Sequence, residues 1–397
     1  MLISMDSHTE LVLDLRPYLP SRWHGEFARG ERIARQNFGD SLRAFAHFMR
    51  EDDLGEAAAN ALLPDSGRDP VLDEYLRPMP IHERLRCIDA DGVAAEFITP
   101  FVGAYSDEPA FLHECTLAFD RWFQDYVSPA PYRFSGATAA NLLCGIDTVV
   151  EEIDHAWRAG LRAIVLPSKL NHVAPDLPGY NARVYDPIWA ALDERRMAAV
   201  FHAGHGREKP QLRWDARRRP FSHGGQPEPG WEMLFQTDIL SVSPDALREL
   251  LFGAVPERYP HLRIGILESG ATWIPPLLGE MDALWKSFRA SGHVPAWRGE
   301  LSPSEQWRRQ GFVTSTLDER EIEQRHVIGV GNLMWGSDFP HVEGSYPNSR
   351  AHLKRLFAEV PEAERIAITG GNAAAMFGFD WARLAATPAA AGGGESG

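Results

Sequence analysis

Eight short apolar runs, rich in β-branched and aromatic residues, recur along the chain and end in small or polar residues: LISM, AAEFITP, RFSGATAA, RAIVLP, AAVFHA, LRIGILES, GFVTSTL and NLMWGSD. Between them the apolar positions change to helical spacing. In TVVEEIDHAWRAG, Val149, Val150, Ile153, Ala156 and Trp157 fall on one helix face, with Gly160 as a C-cap. VYDPIWAALDERR and TWIPPLLGEMDALWKSF, the second starting beside Thr272, read the same way. Strands alternating with helices predict repeated βα units and a parallel sheet. Eight units in one chain predict an α/β fold of the (β/α)8 TIM barrel type rather than an open doubly wound sheet. A dinucleotide-binding sheet would also carry a G-x-G-x-x-G turn, and none follows these strands.

The interval between the first two runs is too long for one crossover helix. Residues 11–80 therefore read as a helical cap inserted on a barrel spanning 1–384, placed to wall the site. Residues 385–397, ending AAAGGGESG, are too rich in small residues to pack and read as a disordered tail.

The chain has 397 residues, 44% of them hydrophobic and 24% charged, an ordinary globular composition. Its net charge of −15 argues against nucleic acid or an anionic membrane as partner, since either needs a basic face. Three cysteines, Cys87, Cys115 and Cys144, show no C-x-x-C spacing and read as reduced structural thiols. The amino terminus lacks a basic segment followed by an apolar one, and no run of about 18 apolar residues occurs, so a cytoplasmic protein is expected.

The chemistry gathers at strand ends. MWGSDFPHVEG stops an apolar strand on Asp338, and a buried carboxylate there needs a pairing group or a cation. The first strand ends MDSHTE, where Asp6 and His8, two apart in an extended segment, share a face. The fifth ends VFHAGHG, with His202 and His205. Carboxylate and imidazole from separate strands, meeting at the C-terminal mouth of a barrel, suit a divalent zinc, manganese or iron ion.

At these residues the chain resembles the amidohydrolase superfamily, in its amidohydrolase-related branch, which includes metal-dependent hydrolases and decarboxylases. The resemblance runs from ISMDSH through DGVAAEFITP, GLRAIVLPS, VFHAGHG, LFGAVPERYPHLRIGILESGATWIPPLL and LMWGSDFPHVEGSYPNS to ITGGNAAAMFGF. It implies a distorted barrel holding a metal through Asp6, His8, His202 and Asp338. Many members carry a histidine after the sixth strand, where this chain has Glu268. Glu268 either ties the barrel to its loops, orients a water or ligates a second ion. Lys169, past the fourth strand, is the weak counterpart of the carbamylated lysine of binuclear relatives. His205 and His341, each three residues beyond a ligand, either orient the ligands or join Glu268 around a second ion.

The expected activity is metal-dependent hydrolysis of a small organic acid or acyl derivative. Asp338 would act as base, with His205 and Glu268 assisting, and zinc is the first-choice ion, manganese or iron the others, as one or two ions. The alternative is non-oxidative decarboxylation of a cyclic or aromatic carboxylic acid. More distant are a dinuclear iron or manganese oxygenase and an inactive partner subunit. The basic loop GREKPQLRWDARRRPFSHGG, with Arg217 and His223, would recognise an anionic small-molecule substrate. Phe339, with Trp23, Trp214 and Trp231, would wall its apolar part, and the resemblance makes a homodimer the expected assembly.

Overall fold

A computed structural model describes residues 1–9, 13–33, 78–100, 106, 108–204, 242–292, 299–341 and 344–387. Its strands are β1 (Leu2–His8), β2 (Val93–Thr99), β3 (Phe134–Ala139), β4 (Ala163–Val165), β5 (Ala198–His202), β6 (Arg263–Leu267), β7 (Gly311–Ser315) and β8 (Leu333–Trp335). Each coincides with one of the eight apolar runs. They pair in parallel and in chain order, forming a nearly closed (β/α)8 barrel.

The seam between β8 and β1 falls at the residues that carry the chemistry. A parallel bridge joins Ser7 to Phe339. The amide of Asp338 donates to the Asp6 carbonyl at 2.9 Å, and that of His8 to the Phe339 carbonyl at 2.7 Å. Gly336 permits this approach, because a Cβ there would stand 2.6 Å from the Asp6 Cβ.

The principal helices are α1 (Ile81–Asp91), α2 (Pro109–Val127), α3 (Ile146–Arg158), α4 (Asp186–Arg195), α5 (Pro244–Phe252), α6 (Ile274–Ser291), α7 (Pro303–Gln310) and α8 (Ser349–Leu356). Local signals set their ends. Gly92, at φ 82°, stops α1 just before β2. Ser302 and Glu305 form a reciprocal capping box on α7, with Pro303 in its first turn.

On α3 the buried face comprises Val149, Ile153 and Ala156 as read from the sequence, but its fourth member is Glu152. Trp157, expected on that face, is 44% exposed. The stripe rotates because Glu152 finds partners on neighbouring elements. His113 of α2 lies 3.0 Å away and the Asn141 amide donates to it at 3.0 Å.

Ile3, Met5, Phe97, Val200, Phe312 and Met334, from β1, β2, β5, β7 and β8, pack into one apolar cluster with Ala373 and Phe379 from the C-terminal segment. A larger cluster lies between strands and helices. Leu13, Leu15, Leu19 and Phe27, from the beginning of the predicted cap, join the larger cluster. Residues 11–12 and 34–77 of that cap lie outside the described residues, as do 388–397 of the predicted tail. Thr387 is buried, its hydroxyl donating to the Leu384 carbonyl. Among the described residues no helix is long and apolar enough to cross a membrane. No disulfide joins the three cysteines.

Candidate metal centre

Six side chains converge where β1, β5, β6 and β8 end. Donor atoms of Asp6, His8, His202 and Glu268 lie within 4.8 Å of one another, and so do those of His8, Glu268, Asp338 and His341. The two sets share His8 and Glu268. His8 Nε2 stands 3.6 Å from Asp6 Oδ1, 3.7 Å from Glu268 Oε2 and 3.1 Å from Asp338 Oδ1. His202 Nε2 is 3.2 Å from both Asp6 Oδ1 and Glu268 Oε2. His341 Nδ1 lies 2.9 Å from Asp338 Oδ1, and its ring stacks on His8 at 4.2 Å.

The supports explain why these side chains point inward. His202 Nδ1 lies 2.6 Å from the Ala203 carbonyl, which takes its N–H and leaves Nε2 as the ligating nitrogen. Thr99 donates to Asp6 Oδ1 at 3.3 Å. The Ser4 hydroxyl accepts from the Ser337 amide at 2.8 Å, pinning β1 to the turn before Asp338. Glu268 and Asp338 occupy the left-handed region, at φ 53° and 58°, which aims each carboxylate into the mouth at a cost of roughly 1–3 kcal/mol. The Glu268 loop is fastened from below by buried Glu321, which accepts from the Ala271 amide at 2.7 Å and the Ser315 hydroxyl at 2.7 Å.

The electrostatics suit a cation. Asp6 Oδ2 and Asp338 Oδ2 are buried and accept no hydrogen bond among the described residues, an arrangement that a bound ion would satisfy. Burial, reinforced by the facing His341, pushes His8 down to about 4 against the pull of Asp338 and Asp6. Burial alone would raise Asp338, but His341 and His8 outweigh it and hold the carboxyl below the usual range. A neutral imidazole and an ionised carboxylate are the forms that ligate metal.

Of the sequence-predicted residues, the fold brings together Asp6, His8, His202, Glu268, Asp338 and His341. Glu268 stands inside both donor sets. Lys169 is half-buried on the turn after β4, outside both. Phe339 is buried, its ring packed against Tyr346 and under the Arg84 guanidinium. Trp23 is half-buried against Phe111. His205, Arg217, His223, Trp214 and Trp231 lie outside the described residues. Sequence reading missed the bracing residues Thr99, Ser4, Ser337, Glu321 and Arg84, which act through polar contacts between distant segments.

The amidohydrolase family model, described as "Amidohydrolase", matches residues 88–379. The chain belongs to this family. No curated protein matches it in sequence. Among solved structures, it is similar to 5-carboxyvanillate decarboxylase LigW from Sphingomonas paucimobilis, at 20% identity and TM-score 0.59, over 96% of this chain and 99% of the other. It is also similar to 5-carboxyvanillate decarboxylase LigW2 from Novosphingobium aromaticivorans, solved with bound manganese, at 13% identity and TM-score 0.63, over 95% and 97%. An amidohydrolase from Mycobacterium avium subsp. paratuberculosis is 19% identical, with TM-score 0.60, over 81% of this chain and 80% of that one.

Proposed function

We propose that this amidohydrolase is a metal-dependent non-oxidative decarboxylase of an aromatic or cyclic carboxylic acid, with its ion held among Asp6, His8, His202 and Asp338, and with Glu268 completing the donor set. The observation that carries the reading is the pair of overlapping donor sets at the mouth, one of which includes Asp338 with His341 against it. Support comes from the similar 5-carboxyvanillate decarboxylases, one of them holding manganese. The decarboxylase alternative thereby replaces hydrolysis as the leading reading, and manganese replaces zinc.

A divalent ion held by these residues would supply Lewis acidity, which favours the negative charge that develops as the C–C bond breaks. Departure of carbon dioxide leaves an electron pair on the ring carbon, which must take a proton. Asp338 and His341, 2.9 Å apart, form a relay able to carry that proton, with partly exposed His341 on the solvent side. His8, kept neutral, adds no competing acid.

The test uses the full chain loaded with manganese, offered a panel of hydroxylated benzoic acids and, separately, aryl esters and amides. Carbon dioxide release without acyl hydrolysis is expected. Asp338→Asn should lower that release by about 10²–10⁴-fold with unchanged circular dichroism. Hydrolysis of the acyl panel with no carbon dioxide from any acid would overturn the reading.

A further inference from the structure

A buried ion pair lies behind the donor cluster. Arg84 of α1 is 2% exposed, and its Nε donates to Glu96 Oε2 on β2 at 2.7 Å. Glu96 is wholly buried. The same guanidinium extends Nη1 to the backbone carbonyl of His8 at 2.6 Å and covers the Phe339 ring at 5.2 Å. The Phe339 carbonyl in turn accepts from the His8 amide. One side chain therefore holds the carbonyl of His8 while covering the ring of the residue that holds its amide.

Stability alone is a weak account of this arrangement, since buried ion pairs are often replaceable by apolar residues at little cost. Its geometry matters more. Arg84 reaches a carboxylate and a carbonyl from two separate nitrogens of one rigid planar fork, a fixed spacing that the single nitrogen of an ammonium does not reproduce. Its target is the backbone of His8, one of the two residues that belong to both donor sets. A rotation of His8 would alter its spacing to Asp6, Glu268 and Asp338 together.

Resting on the metal-centre reading above, we propose that Arg84, anchored by Glu96, is a positioning residue that fixes the His8 imidazole and so sets the affinity of the centre for its ion. Groups that orient metal ligands from behind typically change metal affinity by about 10–100-fold when removed.

The experiment measures manganese binding by electron paramagnetic resonance, and thermal unfolding of the chelator-treated protein, for three full-length chains. The wild type must bind manganese; if it binds none, the metal-centre reading itself fails. The double variant Arg84→Met/Glu96→Met removes both charges, so the ion-free protein should unfold near the wild-type temperature. Its manganese affinity should nevertheless drop by about 10–100-fold, with a broadened spectrum. Arg84→Lys retains the partner for Glu96 but not the double contact, and should lose affinity by a smaller factor. If the double variant does not fold, Arg84→Lys decides alone. Wild-type affinity and spectrum in either folded variant would overturn the positioning role while leaving the metal centre standing.

Discussion

Glu268 shows a residue working against its own backbone preference. A β-carbon at φ 53° is strained by roughly 1–3 kcal/mol, and the carboxylate it carries stands among those of Asp6 and Asp338. Neither cost serves folding, and both place a donor oxygen 3.2 Å from His202 Nε2. Glu268→Gly, which adopts the same backbone freely, is expected to stabilise the ion-free protein by about 1 kcal/mol in urea titrations. The same variant should bind manganese more weakly than wild type. A destabilised ion-free variant would mean that Glu268 mainly ties the barrel to its loops, the structural option that the sequence left open.

Between elements, α2 and α3 are joined through two buried carboxylates. Glu152 meets His113 and the Asn141 amide, and Asp120 meets His155 at 2.8 Å. The hydrogen bond to Glu152 raises the His113 imidazole against its partial burial. A raised histidine contributes stability fully below its unfolded value of about 6.5, and loses it as pH climbs through the folded value. Glu152→Ala is therefore expected to cost roughly 3 kcal/mol near pH 6 and distinctly less near pH 9, read from urea midpoints at the two pH values. An equal cost at both would assign the loss to the Asn141 contact alone. This interface also marks where sequence reading stops. All eight strands were legible, because a strand buried on both faces is written as a continuous apolar run. The face of α3 was misjudged at Trp157 because periodicity sees Glu152 as polar and cannot see His113, 39 positions away, satisfying it. Glu96 carried the same kind of signal unread: a charged residue inside AAEFIT, all seven residues of whose strand are buried, requires a buried partner, and Arg84 is that partner. At the mouth the legible residues were ligand types at strand ends. Their bracing was not legible, since it depends on which loops meet.

For the molecule as a whole, the decisive quantity is charge at the barrel mouth. The chain carries −15 overall, and Asp6, Glu268 and Asp338 concentrate three carboxylates around three imidazoles in a largely buried space. The barrel seam runs through this cluster, with Asp338 bonded to Asp6 and His8 to Phe339 across β1 and β8. Repulsion among the acids therefore acts on the closure of the fold itself, and an ion that neutralises them should tighten the seam. Binding to the folded chain alone stabilises it by about 2.7 kcal/mol when free ion exceeds its dissociation constant a hundredfold. Chelator-treated protein should accordingly unfold a few degrees lower than protein in excess manganese, since one kcal/mol moves a large domain by only about 2–4 °C. One divalent ion against three carboxylates leaves the cluster at −1, whereas two leave it at +1, the sign that attracts an anionic substrate. Metal content per chain, measured beside the unfolding shift, distinguishes the two. Asp6→Ala should abolish the manganese-dependent shift while retaining the chelator-treated unfolding temperature or raising it. A shift that survives in Asp6→Ala would place the stabilising ion elsewhere on this acidic surface and remove the seam from the explanation.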